Sequence, residues 1–181
     1  MPALNAWSNV TMRNHAVGPD HTSLQFAGNL GGASGPSGLG GQFSQSRVVL
    51  ETVQSCGVDE LVHELGVPAP NFVKFDLETG ETAALPNGPK VFREKRPVLL
   101  LELPGLEAMN AAGAFLTTYD YAAGLIERLP EFADITVAAW DAAFGRGALR
   151  NLKDLRSIGY VPHMLFYLPS ERFARVTPGG D

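Results

Sequence analysis

The residues Asn71 to Glu81, NFVKFDLETGE, end an apolar run in three acids, Asp76, Glu78 and Glu81. A buried parallel strand reads as a short continuous apolar run, and in open α/β sheets the ligand crevice lies just beyond the carboxyl ends of the strands. Carboxylates at that end can accept hydrogen bonds from a substrate, take a proton as general bases, or ligate a hard cation. A second run, 98–103 (VLLLEL), carries Glu102 near its own end. Asp76, Glu78 and Glu102 would then meet at the ends of neighbouring strands and could gather a divalent cation such as magnesium, although no histidine or further acid completes a coordination shell. The same spacing also fits a plainer arrangement, Asp76 as a helix N-cap and Glu78 as a first-turn acid, which the positive end of a helix dipole favours.

The elements that must position these acids follow from the pattern around them. Short runs rich in β-branched and aromatic residues predict strands at 10–17, 23–26, 48–53, 72–77, 98–103 and 160–168. Apolar residues at 58, 61, 62 and 65 share one helical face, so 58–65 predicts a helix. Helices are also expected at 120–129 and at 147–158, the latter from the stripe Leu149, Leu152 and Leu155. Between Gly80 and Arg93, Pro86 and Pro89 must interrupt any helix. The stretch 28–46, GNLGGASGPSGLGGQFSQS, predicts a loop or lid, because glycine loses so much backbone entropy on ordering. It lacks the Gly-Lys-Ser/Thr ending of a phosphate-binding P-loop. Strands alternating with helices predict an α/β fold with a largely parallel sheet.

Composition narrows the function classes. A chain of 181 residues, 45% apolar and 18% charged, can bury one sizeable core, so a single domain is expected. A formal net charge of -5 with scattered basic residues gives no footprint for nucleic acid or an anionic membrane. Cys56 is the sole cysteine, which rules out an intramolecular disulfide and a zinc site built on several cysteines, and fits a reducing compartment. MPALNAWSNV has neither a basic flank nor an apolar core, and no window approaches the about 18 apolar residues of a membrane span. The expectation is a cytoplasmic protein.

Five segments together, NVTMRNHAVG, TVQSCGVDELV, PAPNFVKFDLETGE, RPVLLLEL and LKDLRSIGYVPHML, resemble the later part of FkbM-family S-adenosylmethionine-dependent methyltransferases. Family members read close to K-I-D-V-E-G-x-E at the first strand quoted above. This chain has Lys74, Phe75, Asp76, Leu77, Glu78, Thr79, Gly80 and Glu81, so the three acids match and Thr79 stands at the family glycine. The next family strand commonly ends in Glu and then His, where this chain has Glu102, Leu103 and Pro104.

The resemblance implies a partial Rossmann-like S-adenosylmethionine methyltransferase fold, α/β, with a mostly parallel sheet, helices on both faces and the strand order 3-2-1-4-5-7-6. It implies S-adenosylmethionine as cofactor and a small-molecule acceptor, a metabolite or sugar hydroxyl. Asp76, at the tip of strand 4, would face both cofactor and acceptor, and Glu78, with Glu81, would shape that site. Asn14, His15 and Ala16, after strand 3, would lie beside the adenine. The family's Gly-rich turn and ribose-binding acid belong to strands 1 and 2, which have no counterpart here; residues 1–9 resemble the end of the helix after strand 2, so the domain is expected to be truncated at its N-terminus. Those strands would lie between 10–17 and 72–77. The gap admits three resolutions: a longer parent protein, a direct pairing of the first strand with strand 4, or a partner chain or second copy covering the open edge. The non-catalytic alternative is a pseudoenzyme or assembly module that lacks a complete cofactor site.

Plainer roles are expected elsewhere. Glu51, Glu60 and Glu81 read as solvated acids, His15 as a partly buried strand-end residue, His63 as a surface residue, and Tyr119 and Tyr121 as packing residues at a helix start.

Overall fold

The structure, a computed structural model, describes residues 9–19, 21–29, 38–39, 48–77, 80–126, 149–151, 162 and 164–172. It is an α/β fold with two mixed sheets. Its centre is the apolar run read above. Strand β6 (Val98–Glu102) lies between β5 (Phe72–Phe75), to which it is parallel, and β9 (Met164–Pro169), to which it is antiparallel. On the far side of β9 comes β7 (Tyr121–Ile126), antiparallel to β9, and then β8 (Leu149–Asn151), antiparallel to β7. The order is β5-β6-β9-β7-β8. Two reversals across β9 make β7 run parallel to β6 and β5.

Register explains which side chains form the core. Leu99 sits opposite Tyr167 and Leu101 opposite Leu165, and all four are at most 1% exposed. Since opposed residues share a sheet face, one face is fully covered. Helix α3 (Leu106–Thr117) belongs to that cover: its Met109, Ala112 and Leu116 are buried, and Tyr167 Oη donates to the Met109 carbonyl at 3.4 Å. Val98, Leu100 and Phe166, on the other face, are half-buried.

Among the described residues the second sheet has four strands. Strand β2 (Ser23–Asn29) pairs antiparallel with β4 (Val48–Cys56) from Ser23 opposite Gln54 to Asn29 opposite Val48. The short β1 (Ala16–Val17) runs parallel to β4, and β3 (Gly38–Leu39) runs antiparallel to β2. The turn that joins β1 to β2 is clamped to β4 by the buried Ser55, whose amide donates to the Thr22 carbonyl at 2.7 Å and whose hydroxyl contacts the carbonyls of Pro19 and Thr22.

Strand β4 feeds helix α1 (Val58–His63), where Val58 is buried and Leu61, Val62 and Leu65 are half-buried, as the spacing predicts. Asp59 points away from that face and accepts the amides of Lys90 at 2.9 Å and Val91 at 2.8 Å. It thereby caps a turn of π-helix, Val91–Lys95, two of whose first free N–H groups would otherwise lack acceptors. Helix α2 (Glu81–Ala84) and a 3-10 turn (Leu85–Asn87) precede it, and Pro86 and Pro89 keep these turns separate.

Several expectations are corrected. Among the described residues two strand pairings are parallel and five antiparallel, so the sheets are mixed and not mostly parallel. The helix expected at 120–129 is strand β7 over 121–126, because pairing with β9 outweighs the weak helix propensity of a segment containing Gly124; 127–129 lie outside the described residues. The helix expected at 147–158 is strand β8 over 149–151, and the remainder lies outside them. The strand expected at 10–17 contracts to Ala16–Val17. Helix α3 was not anticipated. Of the loop at 28–46, Gly28 and Asn29 finish β2 and Gly38–Leu39 form β3, while 30–37 and 40–46 lie outside the described residues, as do residues 1–8.

Candidate site at the carboxyl ends of the central strands

Asp76 is the first residue after β5, and the register that sets Phe75 opposite Leu101 carries on to place Asp76 beside Glu102. Lys74, two residues before Asp76, projects from the same side of the strand, and its ammonium donates to Asp76 Oδ2. Both side chains remain open to solvent, Lys74 at 45% and Asp76 at 37% exposure. The Lys74 ammonium holds the Asp76 carboxyl below its ordinary range, with a hydrogen bond to Glu102 acting in the same direction, and Asp76 in turn raises Lys74. The two shifts describe one ion pair at the mouth of the sheet.

That electrostatic setting limits the chemistry. A carboxylate kept ionised is a good acceptor for hydroxyl or ammonium donors, but it is a weak general base, since proton-transfer efficiency rises as the pKa approaches the working pH. Asp76 is therefore suited to holding and orienting a ligand. Gathering a divalent cation is less suitable, because the lysine ammonium already occupies the carboxylate. Glu78, assigned to the same site from the sequence, lies outside the described residues.

The loop carrying Asp76 is closed by Glu81. Its side chain is 1% exposed, not solvated as expected, and its Oε1 accepts the Leu77 amide at 2.6 Å. Gly80 also donates to the Leu77 carbonyl at 3.1 Å, and a Cβ at Gly80 would come to 3.2 Å from that oxygen. Residues 77, 80 and 81 thus fold back on themselves, and Asp76 is held at the neck of the resulting loop. The helix-cap reading does not apply, since α2 begins at Glu81 with Gly80 as its N-cap.

Asn14 is exposed, His15 is exposed and not partly buried as expected, and Ala16 is half-buried at the start of β1, in the other sheet from Asp76. No hydrogen bond or ion pair among the described residues joins them to Asp76. Lys74 was missed in the sequence, although alternate residues of a strand share a face and would have paired it with Asp76. Glu60, expected to be solvated, is 10% exposed at its side chain. His63 is on the surface as expected. Tyr119 and Tyr121 are packing residues, both edge-on to Phe92, but they flank the turn into β7 and not a helix start. Among the described residues no helix is long and apolar enough to cross a membrane. Neither the family models, nor the curated proteins, nor the solved structures compared with this chain match it.

Proposed function

We propose that this chain is a Rossmann-like methyltransferase domain of FkbM type that holds S-adenosylmethionine and a small hydroxyl-bearing acceptor at the carboxyl ends of β5 and β6. The observation that carries the reading is strand order. The resemblance implies 4-5-7-6 for the second half of the sheet, and β5-β6-β9-β7 has that connectivity, with the last strand in sequence inserted between the second and third. Asp76 supports it from the end of β5, the position at which open α/β sheets take ligands.

In this reading Asp76, kept ionised by Lys74, accepts hydrogen bonds from the bound ligand and orients it. Methyl transfer from a sulfonium to a hydroxyl breaks the S–CH3 bond, forms the O–CH3 bond and releases the hydroxyl proton; alignment supplies much of the rate, so Asp76 contributes by orienting the acceptor while the proton leaves to the solvent that reaches the site. Glu81 fixes the loop from which Asp76 projects. Asn14, His15 and Ala16 remain proposed contacts to the adenine, reached from the neighbouring sheet.

A second reading rests on a different observation. Strand β5 stands at the end of its sheet order, and among the described residues nothing pairs with its outer edge. An unpaired edge invites another strand, so an assembly module without catalysis is the alternative. Calorimetric titration of the full chain with S-adenosylhomocysteine, repeated with Asp76→Ala, separates the two. Micromolar binding that weakens in the variant supports the methyltransferase reading. Absence of heat up to about millimolar ligand, an affinity of only about -4 kcal/mol, supports the assembly reading.

A further inference from the structure

Three side chains outside this site converge where the β1–β2 turn meets helix α1. His21 lies in the turn, Glu60 in α1, and Glu64 one turn further along the same helix face. One potential ligand atom from each lies within 4.8 Å of the other two. His21 Nδ1 is 3.6 Å from Glu60 Oε1.

Glu60 supplies the independent observation. Its side chain is only 10% exposed, and its Oε2 is buried with no hydrogen-bond partner. A buried carboxylate oxygen without a partner is costly, and two carboxylates at i and i+4 on a helix repel each other. An imidazolium at His21 would answer only part of this. At 3.6 Å from Oε1 it is too far for a good hydrogen bond, and Oε2 would still be unpartnered. One cation between the three side chains would neutralise both carboxylates, the buried one included.

We propose that His21, Glu60 and Glu64 form a binding site for a divalent transition-metal cation of the zinc class. The donor set selects the ion: an imidazole nitrogen favours zinc and its first-row neighbours, whereas magnesium and calcium prefer all-oxygen shells. Three protein ligands leave one tetrahedral position for water. Metal–ligand bonds of about 2.0–2.2 Å require the ligand atoms to close up to roughly 3.4 Å from one another. The two exposed members, His21 at 75% exposure and Glu64, are free to make that movement while Glu60 stays in place.

The backbone already presents these residues to one another. His21 has a φ of 52°, and the Ser55 clamp holds the turn on both sides of it through Pro19 and Thr22. A bound ion would pin this turn to α1, whose Asp59 caps the turn at Val91. The ion would thus be a structural clamp between the hairpin of the second sheet and the helix packed on the main core.

The test is a zinc titration of the full, EDTA-treated chain by calorimetry, with cobalt(II) substitution read by its visible absorption. The wild type is expected to take up one equivalent of zinc, with a rise in thermal midpoint, and to give a cobalt band typical of low coordination number. His21→Ala and Glu60→Gln should each weaken zinc by more than the roughly tenfold that loss of an outer-shell partner costs. His63→Ala, a surface histidine on the same helix, should bind as wild type. Exposure of His21 makes His21→Ala safe for folding, and Glu60→Gln is nearly isosteric, so circular dichroism of the metal-free variants should be unchanged. Absence of zinc uptake by the wild type, or equal uptake by His21→Ala, would overturn the proposal.

Discussion

Arg96 joins more of the fold than any other charged side chain described, and its replacement gives a quantitative test. It ends the π-helical turn with a φ of 49°, just before β6. Its guanidinium donates to the carbonyls of Tyr119 at 2.9 Å and Asp120 at 3.2 Å, and to both Glu171 oxygens at 2.8 and 2.7 Å. It therefore fastens the start of β6, the turn before β7 and the residues after β9. A hydrogen bond from a charged donor contributes about 1.5–3 kcal/mol when buried, and these two carbonyls are only partly so. The Glu171 pair is half exposed, with Glu171 at 48%, and such pairs contribute about 0–1 kcal/mol. Arg96→Ala should then cost about 2–3 kcal/mol. Arg96→Gly loses the same contacts but relieves a left-handed backbone that costs a non-glycine residue about 1 kcal/mol, so it should be about that much more stable than Arg96→Ala. Urea denaturation of the three proteins reads both differences.

The same pair sets a pH signature. Arg96 holds Glu171 down at about 2. A depressed folded-state pKa contributes stability that is present above the unfolded value, about 4.3 for glutamate, and is lost as pH falls through the folded value. Wild type should lose stability between those limits, and Arg96→Ala should lose less there. A stability of Arg96→Ala within about 0.5 kcal/mol of wild type, the spread of ordinary surface substitutions, or an acid dependence equal to that of wild type, would show that Arg96 does not fasten these elements.

Further tests address single contacts. Leu99→Ala, at a wholly buried position of β6, should cost about 2–5 kcal/mol by chemical denaturation. Gly88→Ala would bring a Cβ to 2.8 Å from Phe92 and 3.0 Å from Val58, so a loss of about 1–3 kcal/mol is expected; an unchanged denaturation midpoint would show that the turn yields. Asp59→Ala should cost about 0.5–2 kcal/mol through the lost cap, with faster amide exchange at Lys90 and Val91. Cys56, fully buried, should react with a thiol reagent only on unfolding.

Much of the main sheet was legible because its strands are short and strongly apolar. Val98–Glu102 and Met164–Pro169 need no partner information to be read as strands. Their directions were not legible. Antiparallel β9 and parallel β5 are both buried on one face, and the pattern of apolar residues does not distinguish them. Helix α3 was missed although Leu106, Met109, Ala112 and Leu116 recur at helical spacing, and Gly113 lowers the helix propensity of the segment. Tyr121–Ile126 went the other way, since its strand character comes from β9 beside it, a contact between distant parts of the chain. At the candidate site, Asp76 was placed correctly at a strand end, but the burial of Glu81 depends on the loop turning back upon itself, which spacing alone does not reveal.

Ligand binding at the carboxyl ends of β5 and β6 can be mapped by the amide chemical shifts of the full chain on addition of S-adenosylhomocysteine. Saturable changes centred on Asp76, Leu77 and Leu103 are expected, and Asp76→Ala should diminish them. Changes confined to other surfaces, or none at millimolar ligand, would contradict binding at these strand ends.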